Sequence, residues 1–95
     1  MSDYLKHLTR AVTAMHGSCS HASTVKIREE INGEIVWDGE VEIFDLKENK
    51  EAKRAFAWGY KGDDNEMQYI SVLALPPIQT PRQAVQAAIA SGKQD

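Results

Sequence analysis

The alternation of apolar and polar positions predicts helix, hairpin, hairpin, helix along the chain. Leu5, Leu8, Val12 and Met15 recur at helical spacing, with Tyr4 and Ala11 beside the same stripe and Lys6, Arg10 and Thr13 on the far side. Ser2 or Asp3 stands where an N-cap is wanted. Gly17 comes where a left-handed terminal residue is expected, so this helix ends near His16. Ser18-Cys19-Ser20-His21 then reads as a loop.

From Val25 the period changes to two. Val25, Ile27 and Ile31 alternate with Lys26, Arg28 and Glu30, and Ile35, Trp37, Val41 and Ile43 alternate with Asp38, Glu40 and Glu42. Asn32-Gly33 between the runs suits a two-residue type I′ turn, but parity opposes it, since that register sets Ile27 against Asp38. A three-residue loop with Gly33 left-handed, forming a G1 bulge, pairs Ile27 with Trp37 and is the preferred expectation. Gly39 marks a bulge or a close approach, Asp38-Gly39 being alternatively a turn. Phe44 and Leu46 suggest that the inward side changes beyond it. Lys47 to Arg54 is a charged connection of mixed sign with room for one helical turn.

A second hairpin follows. Phe56, Trp58 and Tyr60 share one side of a strand, with Ala55, Ala57 and Gly59 on the other, and Gly62-Asp63-Asp64-Asn65 is a dense turn signal. Met67 to Leu75 is apolar at both parities, as befits a strand covered on each face, and Pro76-Pro77 ends it. Pairing Tyr60 with Met67 places Trp58 opposite Tyr69. This gathers Phe56, Trp58, Tyr60, Met67 and Tyr69 into one aromatic face and leaves a small-residue reverse face that the C-terminal helix can approach. That helix opens on Thr80-Pro81-Arg82-Gln83, which has the form of a capping box, carries Val85, Ala88 and Ile89, and stops at Gly92. The Gly-Lys-Gln-Asp tail reads as frayed.

The expected architecture is α+β, one domain over residues 1–95: an antiparallel sheet of about four strands in two hairpins, most simply a meander, with N- and C-terminal helices packed on it. Composition narrows the function classes. The 42% hydrophobic and 26% charged fractions are those of a folded protein, and a net charge of -3 argues against nucleic acid or anionic lipid. A single cysteine, no apolar run of membrane-spanning length and no signal-peptide pattern at the start lead to the expectation of a cytoplasmic protein.

Candidate chemistry is sparse. His16, Cys19 and His21 are the reactive cluster, with His7 further back. Their spacing matches no metal site and a fourth ligand is missing, so no metal and no cofactor are expected. Asp63 to Glu66 is too short for a calcium loop. Glycine-rich phosphate loops and nucleophile elbows are absent from the sequence. The aromatic face is too large to leave in water: either a helix covers it or a second molecule does, a symmetric homodimer being the commonest solution. The leading expectation is therefore a non-enzymatic interaction module that self-associates through Phe56, Trp58, Tyr60, Met67 and Tyr69. The alternatives are a ligand-binding or enzymatic pocket walled by aromatics near His16, Cys19 and His21, and an RNA-binding module using Lys47, Lys50, Lys53 and Arg54.

Overall fold

The computed structural model describes residues 3–92. The possible cap at Ser2 and the tail beyond Gly92 lie outside the described residues. The chain forms α1 (Asp3–His16), β1 (Cys19–Ile31), β2 (Glu34–Leu46), β3 (Arg54–Lys61), β4 (Met67–Leu73) and α2 (Pro81–Ala90). The strands make an antiparallel meander in the order β1-β2-β3-β4, so the α+β architecture follows the sequence pattern.

The helices take opposite faces. Leu8 and Val12 of α1 lie on Phe44, Ala55 and Ala57. Ala84, Val85 and Ala88 of α2 lie on Ile27, Val41, Ile43, Phe56 and Trp58. Sizes are complementary: the helix with large apolar residues meets the small face of β3, and the alanine-rich helix meets the bulky face. The C-terminal helix thus takes the aromatic side of β3, and the small-residue side receives α1. On β2, residues 41–44 are all buried, because both of its faces are covered rather than because its inward side changes.

Three local expectations are corrected. Asn32 (φ 53) and Gly33 (φ 83) are both left-handed, as a type I′ turn requires, and Ile31 pairs with Glu34. The parity conflict is resolved one step later, by a bulge at Val36 between the Glu30–Ile35 and Glu29–Trp37 pairs. Val25 then faces Val41 and Ile27 faces Gly39. Cys19 and His21 are not in a loop: they pair with Leu46 and Phe44, and a second irregularity at Ala22 lets β1 present His21 to the α1 face but Val25 and Ile27 to the α2 face. The Lys47–Lys53 connection holds no helical turn and is folded by Asn49, whose side-chain oxygen accepts from the amides of Glu51 and Ala52.

The two hairpins pair with each other only from Glu42–Ala57 to Asp45–Arg54. Beyond Val41 and Trp58 they fork. The amide of Gly59, which a continued ladder would have bonded, donates instead to the Tyr4 hydroxyl at 2.8 Å. α2 carries the expected capping box: the Thr80 hydroxyl accepts from the Gln83 amide, and the Gln83 side chain accepts from the Thr80 amide.

Candidate functional site

The five residues expected to form one face are divided by the register of the second hairpin. Trp58 pairs with Ile70, Gly59 with Tyr69, Tyr60 with Gln68 and Lys61 with Met67, one place from the expected pairing. A one-residue slip exchanges the faces of a whole strand. Phe56 and Trp58 are therefore fully buried beneath α2, while Tyr69 packs toward α1 with Ala55 and Ala57. Met67 is exposed and Tyr60 half-buried at the open end of the hairpin. Gly62-Asp63-Asp64-Asn65 and Glu66 close the slipped register as a longer loop, in which the Gly62 amide donates to the Glu66 carbonyl and Asn65 is left-handed (φ 64).

Cys19 and His21 of the reactive cluster share the α1 face of β1, each engaged with its own neighbours. Cys19 lies against α1, its Sγ 3.5 Å from the Thr13 hydroxyl. His21 Nε2 stands 2.8 Å from Glu42 Oε1 and sets its ring edge-on to Phe44. Glu42 was expected on the solvent side of β2 but is 5% exposed, and Thr24 also donates to its Oε1. A buried carboxylate held by two donors is a structural group, since its desolvation is offset where it sits. His16 has a buried, unpartnered Nε2 at the end of α1. None of the aromatic-lined cavities is bounded by His16, Cys19 or His21. Among the described residues no group of three or more His, Cys, Asp or Glu side chains is placed to hold a metal ion. Of the basic cluster, Arg54 pairs with Asp45 at 3.3 Å, and Lys47, Lys50 and Lys53 sit in the exposed connection. No described helix is long and apolar enough to cross a membrane.

The two sheet edges differ. On β1 the Arg82 guanidinium of α2 donates to the Arg28 carbonyl at 3.0 Å and to the Glu29 carboxylate, and Gln86 reaches the same carboxylate. Lys26, Arg28, Glu29, Glu30 and the Ala22 bulge further discourage another strand, as edge charges and bulges do. Among the described residues β4 has no such guard: Met-Gln-Tyr-Ile-Ser-Val-Leu carries no charge and no proline, and its register with β3 has no bulge. The Ala74 amide donates to the Arg54 carbonyl, so even-numbered residues of this strand face β3. By the alternation of an antiparallel ladder, Met67, Tyr69 and Ser71 aim their amides and carbonyls outward, as Leu73 does its amide, while the Leu73 carbonyl accepts from the Leu75 amide.

Open space runs along that edge. One cavity of about 400 Å³ lies between Met15 of α1 and Tyr69, Ser71 and Gly92. A second of about 180 Å³ lies between Ile70, Val72, Ala87 and Ser91. The last strand of a meander is necessarily an edge, so the uncharged run and the predicted topology together could have disclosed this surface. The rings of the second hairpin point to a face instead. Comparisons with protein-family models, curated proteins and solved structures returned no match.

Proposed function

We propose that the protein is a non-enzymatic interaction module that self-associates, and that the pairing surface is the β4 edge and not a sheet face. One observation carries this reading: β1 is blocked by Arg82 and its own charges, whereas β4 offers seven uncharged residues in unbroken register. Unguarded edges of this kind recruit strands. The occupant that fits is a second copy. Antiparallel pairing about a two-fold at Ile70 overlaps the whole strand, sets Tyr69 against Ser71 and Met67 against Leu73, and brings no like charges together. Most of the outward amides and carbonyls are then matched, and Tyr69 and Met67 of the expected interface lie within it.

The geometry gives a scale. With the Leu73 carbonyl already engaged by Leu75, the paired edges make about six amide–carbonyl bonds, worth roughly 0.5–1.5 kcal/mol each before association costs of the same order are subtracted. The two terms nearly cancel, so the dimer is expected to be weak and to form at about 10–100 µM only with side-chain burial along the edge added. Light scattering after size exclusion should find a dimer in the wild type and a monomer in Ser71→Pro. The Ser71 amide is not used by β3, so proline there spares the internal ladder while removing a donor from the outer edge. Hydrogen exchange supplies a readout independent of that variant: Tyr69 and Ser71 amides should gain protection as concentration rises. A wild type that stays monomeric at about 100 µM, with those amides exchanging freely, defeats the proposal.

A further inference from the structure

The fork between the hairpins encloses a slot of about 220 Å³. Its aromatic walls are Tyr4 from the α1 side and Trp37, Trp58 and Tyr60 from β2 and β3; Asp38 and Glu40 stand on its rim. Two glycines let the rings lie close to the backbone: a β-carbon at Gly39 would be 3.2 Å from the Trp37 ring, and one at Gly59 3.0 Å from Tyr4 Cε1. Trp37 and Trp58 meet edge to face at 5.7 Å.

The chemistry of these walls selects the guest. Among the described residues no lysine, arginine or histidine lines the slot, and an anion would meet two carboxylates. Arg28 approaches Asp38 from β1 at 3.7 Å, a loose exposed contact, and Glu40 forms no ion pair among the described residues. The Tyr4 phenol shares this negative setting: burial raises its pKa, the bond from Gly59 opposes that rise, and Glu42, Tyr69 and Glu40 add to it. A small metal ion prefers oxygen ligands to ring faces. A methylated ammonium is weakly hydrated and is drawn to the negative faces of aromatic rings. The volume is below that of pockets for drug-sized ligands, which fits a headgroup of a few heavy atoms. The wall also includes the buried Trp58, whose indole N–H has no acceptor among the described residues.

We infer that the slot binds a methylated ammonium of the choline type, its cationic head between Tyr4, Trp37 and Tyr60 and its charge balanced by Asp38 and Glu40. This proposal is independent of the β4 edge. It is tested by titrating the ¹⁵N-labelled protein with choline chloride against sodium chloride at equal ionic strength. The indole N–H signals of Trp37 and Trp58 should shift and saturate in the millimolar range or below. The uncharged isostere 3,3-dimethylbutan-1-ol should bind at least about ten-fold more weakly, the loss expected when a cation–π contact is removed. Glu40→Gln, at an exposed position, should weaken choline several-fold while leaving the spectrum otherwise intact, and Tyr60→Leu should do the same if it folds. A trimethyl-lysine peptide forms a second arm: tighter binding than choline assigns the headgroup to a modified chain, and weaker binding assigns it to a free small molecule. Shifts that fail to saturate with either cation, or an isostere that binds as well as choline, overturn the inference.

Discussion

Replacing Gly59 by alanine tests whether the fork is built as described. Its added carbon would stand 3.0 Å from Tyr4 Cε1, 3.0 Å from Met67 Cε and 3.1 Å from Tyr69 Cδ1. Carbon pairs prefer roughly 3.5–4.0 Å, so each neighbour must retreat by about half an ångström or more. The Met67 methyl can swing away. The rings cannot do so freely: Tyr69 is packed in the α1-face cluster, and Tyr4 is held by the Gly59 amide at 2.8 Å. Relief must push Tyr4 outward, adding a lost hydrogen bond of roughly 0.5–1.5 kcal/mol to an overpacking cost of roughly 1–3 kcal/mol. Alanine recovers roughly 0.5–1 kcal/mol of chain entropy, which leaves a net loss of about 2–3 kcal/mol. In a chain of this size that lowers Tm by roughly 10–20 °C. Urea unfolding followed by tryptophan fluorescence measures it directly. In a Tyr4→Ala background the same substitution should cost far less, a coupling of about 1–2 kcal/mol between the two sites. A Gly59→Ala protein within about 0.5 kcal/mol of wild type, or equal costs in both backgrounds, would refute the reasoning.

Two more outcomes are expected. Thr24→Val keeps a β-branched shape but removes a donor from the buried Glu42 carboxylate, and should destabilise by about 1–3 kcal/mol in denaturant titrations; a neutral result would mean that Glu42 is hydrated in solution. Tyr4 has a folded-state pKa raised above 10.0, so its contribution is intact below the unfolded value and is lost as pH climbs from there through the folded one. Unfolding midpoints measured from pH 8 to 11.5 should therefore fall more steeply in wild type than in Tyr4→Phe, and parallel curves would contradict the assignment.

How much was legible in the sequence depended on the range of the interaction. α2 is announced by Thr80, Pro81 and Gln83, because a capping box closes within one turn, and α1 by the stripe from Leu5 to Met15 with Gly17 after it. The strands and their order as a meander were equally readable, since alternation and short connections are local properties; the cover expected on both faces of Met67–Leu73 is only partial, no residue of that strand being buried. Register was not readable. Asn32-Gly33 made its turn as the dipeptide favours, and the correction of phase came from a bulge at Val36 that no local pattern marks. Tyr69 pairs with Gly59 rather than Trp58, and that glycine also bonds the Tyr4 hydroxyl from more than fifty positions away, a contact no local pattern displays. Which helix took which face, why Glu42 is buried and why β1 alone is guarded were decided in three dimensions. Size complementarity, desolvation and the reach of Arg82 to the Arg28 carbonyl exist only between segments that the chain has already brought together.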